Sequence, residues 1–238
     1  MRAITICVDY WDYLDECLPY NRHHFEEVLI VTSPQDVRTQ HVCEALKVPY
    51  FITDAFYRNG AKFNKWLALE EGLDYFGRHG WITILDADIV IPKSIEWPKL
   101  DQTKLYGPER YMATRLLPEE QWKTMPLWTN KEFSGFFQMF HASCPFLPDA
   151  PWHQTNWTHA GGADTFFQQN WPASQKVRLP FPVLHIGPNG KNWCGRVTPF
   201  EGETIHPDLV KSRQDAMRKF MLQRRNNPDP NYTSEKLQ

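Results

Sequence analysis

The chain has no hydrophobic run long enough to cross a bilayer, no Cys-x-x-Cys pair and no excess of charge of either sign. The first absence excludes a transmembrane helix, which needs about 20 consecutive apolar residues. Five cysteines, at positions 7, 17, 43, 144 and 194, are odd in number and scattered, which suits reduced thiols in a cytosol better than a disulfide framework. The opening from Met1 to Asp9 holds too short an apolar run for a secretory signal and enters a strand directly, so the expected location is cytoplasmic. In that setting the Asn-x-Thr triplets at Asn156 and Asn231 read as chance matches. Lys and Arg number 26 against 28 Asp and Glu, and the net charge of -2 argues against nucleic-acid backbone or an anionic membrane as the main partner. Internal repeats and low-complexity segments are also missing.

What is present is a core. With 238 residues, 42% of them hydrophobic and 14% aromatic, the chain can bury one sizeable interior. Ile4, Ile6 and Val8 alternate as a first strand, and Asp12 to His24 follows as an amphipathic helix. Val28 to Val31 reads as a second strand, Ser33-Pro34 as the opening of a helix running to Lys47, and Pro49 to Ile52 as a third strand. Gly60-Ala61 precedes a helix with Phe63, Trp66, Leu67, Leu73 and Phe76 on one stripe, ending at Gly77. This alternation predicts a parallel sheet with right-handed crossovers.

The run from Trp81 to Pro92 is the most informative. An almost continuously apolar strand carries two carboxylates, Asp86 and Asp88, separated by one alanine. Its length and β-branched content predict a buried parallel strand, which places both aspartates at its carboxyl end, where open α/β sheets bind ligands. Isolated Asp-x-Asp triplets are mostly solvated turns, but paired carboxylates after a buried strand repel each other at a cost that a divalent ion relieves. Beyond Pro92 the chain turns loop-rich, with strands expected near Arg110 to Arg115, Phe136 to His141 and Val177 to His185. Helices are expected over Gly162 to Asn170 and Pro207 to Arg225, followed by a polar, frayed tail over 227–238.

Asp86-Ala87-Asp88 after its strand, Gly161-Gly162-Ala163-Asp164 and His185 within Leu-His-Ile-Gly, in that order, resemble the glycosyltransferases of the GT-A fold, especially inverting enzymes of the family-2 and β-galactosyltransferase type. The resemblance covers nearly the whole chain. It implies one domain over 1–226, with a nucleotide-binding half (1–92), an acceptor and catalytic half (93–205) and a C-terminal helix (206–226). It also implies a metal-dependent transfer of sugar from a nucleotide-diphosphate donor to a hydroxyl acceptor. Asp88 and His185 would hold the ion, with Asp86 reaching the ribose, the sugar or the metal. Mn2+ is favoured over Mg2+ because an imidazole nitrogen joins the oxygen ligands.

By the same resemblance Asp164 is the general base, although it equally suits the cap of a short helix, and Ala163 stands where relatives carry a second acid. Gly161 and Gly162 would let backbone approach the donor sugar, and Trp157 is the acceptor-side aromatic. Asp9, Tyr10 and Asp54 occupy places where the family holds base and ribose, and a carboxylate that can accept the imino proton of uracil points to a UDP-sugar. Lys62 and Asn64 resemble the residues aimed at diphosphate and ribose, while Trp66 stands where many relatives are small. Gly187 to Arg196 reads as a lid whose Lys191 and Arg196 would face the diphosphate. The basic residues Lys211, Arg213, Arg218, Lys219, Arg224 and Arg225 default to a solvated helical face. The acceptor is open, nucleic acid included. A retaining transferase, a nucleotidyltransferase and a silent nucleotide-binding module stay open as alternatives.

Overall fold

The computed structural model describes residues 1–129, 133–187, 191–198 and 205–226, with side chains described as far as residue 222. Strand β1 (Arg2–Ile6) is buried along its whole length, because it lies under cover on both faces. Ile4 and Ile6 enter one apolar core with Leu29, Val31, Leu69 and Leu73, while Ala3 and Cys7 enter another with Leu14, Leu18, Ile30 and Cys43. The period of two along a strand thus feeds two cores at once, and each layer of helices covers one of them. Helices α1 (Trp11–Asn21) and α2 (Val37–Leu46) cover one face, and α3 (Lys65–Phe76) covers the other.

Strands β2 (Glu27–Thr32), β3 (Tyr50–Ile52) and β4 (Trp81–Leu85) join β1 in parallel, in the order β3-β2-β1-β4. The sequence-based expectation of βαβαβ followed by a further helix and strand holds. Beyond β4 the sheet continues through antiparallel β9 (Phe137–His141), then β6 (Leu105–Gly107) and β10 (Lys176–Arg178), to give seven strands. A second sheet of four strands contains β5 (Ile89–Val90), β11 (Val183–Ile186), β7 (Arg110–Ala113) and β8 (Leu127–Trp128). Helix α4 (Ala163–Gln169) and helix α5 (Pro207–Asn226) complete the described elements.

The strand from Trp81 ends at Leu85 with both aspartates just beyond it, as expected, and the chain turns at Asp86 to Asp88 and enters the second sheet as β5. Two expectations are corrected. Val177 to His185 divides between both sheets, since Pro180 and Pro182 offer no N–H to a ladder. Helix α2 opens at Asp36 rather than Ser33: Asp36 Oδ1 accepts from Thr39 N (3.1 Å) and Oδ2 from Thr39 Oγ1 (2.6 Å), which satisfies an otherwise orphaned helical donor. The expected tail over 227–238 lies outside the described residues. Among those described, no helix is long and apolar enough to cross a membrane.

Candidate active site

The two sheets meet where β4 ends. Asp86 N donates to Phe136 O (2.9 Å), and the chain turns and re-enters as β5, antiparallel to β11, with His185 opposite Ile89. Ile186 N donates to Asp88 O (2.9 Å), which clamps the two strands together. The result brings residues 97 positions apart into contact: His185 Nε2 lies 3.2 Å from Asp88 Oδ2. Both side chains are largely buried, and Asp88 Oδ1 and His185 Nδ1 have no hydrogen-bond partner among the described residues. Buried polar atoms left unsatisfied are costly, so two of them on neighbouring side chains mark a place that a ligand could complete. A carboxylate and an imidazole sharing spare lone pairs fit a divalent cation of the Mn2+ or Mg2+ kind, whose remaining positions would go to diphosphate oxygens and water.

Asp86 has a further partner. Its carboxylate is ion-paired with Lys65 Nζ from the first turn of α3, and among the described residues no cluster of three or more His, Cys, Asp and Glu ligands forms. The two aspartates are therefore in different electrostatic states. Burial raises the Asp86 carboxyl, with the charge of Asp88 adding to it and Lys65 pulling it back, and the net shift is upward. Burial also raises Asp88, but His185 and then Arg110 outweigh it and hold that carboxyl below its ordinary range. Arg110, buried against the Phe136 ring at 4.3 Å, feels the fields of Asp88, Asp86 and Asp164 together.

Asp164 lies in the first turn of α4, whose cap is Gly162, so it is not the cap itself. Its Oδ2 accepts from Gly135 N at 2.8 Å, and its Oδ1 has no partner among the described residues. At Gly161 and Gly162 a side chain would meet aromatic rings. A Cβ on Gly161 would sit 2.7 Å from the Trp193 ring, and one on Gly162, at φ +105°, would sit 2.9 Å from the Trp157 ring. Both glycines thus admit indole rings, and the Trp157 ring faces α4 through Phe166.

The remaining candidates separate into free and engaged groups. Lys62 and Lys191 are exposed, and Lys62 is near enough to Cys194 to oppose the upward push of burial on that thiol. Asn64 is engaged at both ends of its amide: Oδ1 caps α3 by accepting from Leu67 N (3.0 Å), and Nδ2 donates to Thr155 O (2.8 Å). Asp54 pairs with Arg58 at the surface. Arg196, only 1% exposed, is not a lid cation; its guanidinium pairs with Asp12 and donates to Asp9 O (3.0 Å). Tyr10 OH accepts from Asn192, which fixes the same loop. Pro188 to Gly190, in the expected lid, lie outside the described residues.

Three contributors were not singled out from sequence. Lys65 is one. Asp36 is another: its Oδ2 accepts from Asp9 N (2.7 Å), and it lines a cleft of about 410 Å³ with Asp9, Trp11, Gln35, Arg38, Ile205 and Leu209, a cleft that Asp54 does not line. Arg213 is the third, read as part of a solvated face but buried, donating to Asp9 Oδ2 (2.7 Å) and to Arg196 O (2.6 Å). Only the structure identifies it, because burial of one arginine in a basic helix leaves no mark on sequence periodicity.

A parallel β3-β2-β1-β4 array extended by an antiparallel strand, flanked by helices and joined to a small second sheet at an Asp-x-Asp turn, is the GT-A fold. A crystal structure of glucosyl-3-phosphoglycerate synthase from Mycobacterium tuberculosis in complex with Mn2+ and UDP-glucose is similar to this chain at a TM-score of 0.52. The identity is 10%, over 96% of this chain and 80% of that one. Another crystal structure of the M. tuberculosis synthase gives a TM-score of 0.46 and 13% identity, over 96% of this chain and 81% of the other. No protein-family model and no curated protein matches the chain.

Proposed function

We propose that this chain is a metal-dependent glycosyltransferase that moves a sugar from a UDP-sugar to a hydroxyl acceptor with inversion, working as one continuous domain. The observation that carries the reading is the 3.2 Å approach of His185 Nε2 to Asp88 Oδ2, with Asp88 Oδ1 and His185 Nδ1 buried and partnerless among the described residues. Those two residues would hold Mn2+ or Mg2+, which when bound stabilises the negative charge growing on the departing diphosphate. The fold is one that carries Mn2+ and UDP-glucose in the Mycobacterium tuberculosis synthase, which supports the assignment through topology alone.

In this reading the cleft beside Asp9 and Asp36 takes the base, Asp86 the ribose, and Lys62 and Lys191 the diphosphate. Asp164 accepts the acceptor hydroxyl's proton on Oδ1 while the Gly135 N–H holds Oδ2, so the carboxylate is oriented as well as charged. Trp157 flanks the acceptor.

The test is a panel of UDP-sugars and simple hydroxyl acceptors with Mn2+ and with EDTA, read as UDP release, with the anomeric configuration of product read by NMR. Metal-dependent release that survives in no Asp88→Ala protein supports the reading, and a retained anomeric configuration would remove the base role from Asp164. A silent nucleotide-binding module is the second reading, favoured by Ala163 in place of an acid. UDP binding without consumption of any donor would select it.

A further inference from the structure

Lys65 is a cation built into the site whose role the proposed chemistry does not absorb. Its side chain is 10% exposed, and an ammonium is costly to bury without compensation. It has two acceptors: the carboxylate of Asp86, and Gly135 O at 3.3 Å. Gly135 is in turn held from its other side, where its N–H donates to Asp164 Oδ2 at 2.8 Å. The neighbouring Phe136 O accepts from Asp86 N (2.9 Å), so one turn, residues 134–137, sits between the donor-side carboxylate and the base and is tied to both.

Space reinforces the link. A Cβ on Gly135 would lie 2.8 Å from Asp164 Cβ and 2.9 Å from Trp66 Cη2, so this position must lack a side chain for Asp164 to approach. Trp66 is itself anchored, 1% exposed with Nε1 donating to Ala160 O at 2.7 Å, and cannot yield cheaply.

We propose that Lys65 is a positioning residue that fixes Asp86 and, through Gly135, sets the orientation of Asp164, thereby coupling the donor end of the site to the base. Asp86 keeps one oxygen without a partner among the described residues, free for a ligand, while the other is held by the ammonium. The inference rests on the proposed function only for what the coupling is used for; the coupling itself is a property of the ligand-free protein.

The test follows the Gly135 amide resonance by 15N NMR in the wild-type, Asp164→Ala and Lys65→Met proteins without ligand. Loss of the carboxylate acceptor in Asp164→Ala moves the resonance upfield, and Lys65→Met is expected to move it in the same direction. A Gly135 resonance unchanged by Lys65→Met overturns the proposal, whether or not UDP binds. With UDP-glucose and Mn2+, Lys65→Met should lower kcat about 10²-fold, in line with the cost of misplacing a reacting group. It should add no further loss on an Asp164→Ala background, whereas full additivity would overturn the link. If Lys65→Met does not fold, Gly135→Ala decides: turnover lost with UDP–Mn2+ affinity within about twofold supports the coupling, and unchanged turnover refutes it. Failure of wild type to bind UDP would sink the proposed function while leaving the resonance shifts to judge Lys65.

Discussion

The surroundings of Asp9 and of Asp88 contrast in how their buried polar groups are satisfied. Around Asp9 each charge has its partner: Arg213 pairs with Asp9, Arg196 with Asp12, and Asp36 accepts from Asp9 N and from Thr39. Around Asp88 two atoms, Asp88 Oδ1 and His185 Nδ1, are buried and have none among the described residues. A saturated network rigidifies a fold, while an unsaturated pair costs stability and is kept where a ligand completes it. The molecule therefore pins the C-terminal helix and the 191–198 loop around Asp9 and leaves two buried polar atoms around Asp88 without a partner among the described residues.

This contrast breaks most sharply under substitution of one partner in each place. Arg196→Ala should destabilise the protein by about 3–5 kcal/mol, because it strands Asp12 and frees the loop from Asp9. Chemical denaturation measures it, and a loss below about 1 kcal/mol would mean that the network is ornamental. Asp88→Asn should act mainly on activity: turnover falls about 10²-fold or more, and the thermal midpoint falls as well, since the removed charge is compensated by His185 and Arg110.

A smaller effect sharpens the same division on α3. Asn64→Ala should cost about 1 kcal/mol through loss of the cap to Leu67 N, with UDP–Mn2+ affinity unchanged, because both ends of that amide are spent on structure. Weaker affinity in that variant would return Asn64 to the ligand.

A pH effect of similar size comes from under α4. Burial pushes His153 below its ordinary 6.5, against the pull of Glu70, so the unfolded chain takes up a proton first and stability is lost as pH falls through about 6.5. Glu70 is raised by burial, but His153 and Arg78 outweigh that and bring it below 4.5, so its contribution persists above that value and is lost only as pH falls through the lower folded one. Both signs agree. The midpoint of thermal unfolding should decline from about pH 7 to pH 5, and more steeply than in His153→Gln.

Much of the scaffold was legible because burial writes a period into sequence. Ile4, Ile6, Leu29, Val31, Ile82 and Ile84 announce strands, and the apolar stripe of α3 announces its face. The approach of Asp88 to His185 could be anticipated only through motif order, since 97 residues separate them and no local period connects them. Roles were less legible than positions. Asn64 and Lys65 are neighbours in a helix opening, yet the first is spent on a cap and the second reaches Asp86. Arg196 and Arg213 carry charge suited to a phosphate, and only packing reveals that carboxylates already hold them. Periodicity encodes which face is buried; it does not encode which polar group remains unsatisfied once buried.

The most direct measurement is calorimetric titration of UDP into wild-type, Asp88→Ala and His185→Ala proteins, each with Mn2+ and with EDTA. A cation shared by Asp88 and His185 predicts tight binding by wild type only when Mn2+ is present, lost in both variants while their folds persist. Equal UDP affinity with Mn2+ and with EDTA, or full Mn2+-dependent binding in either variant, would contradict it.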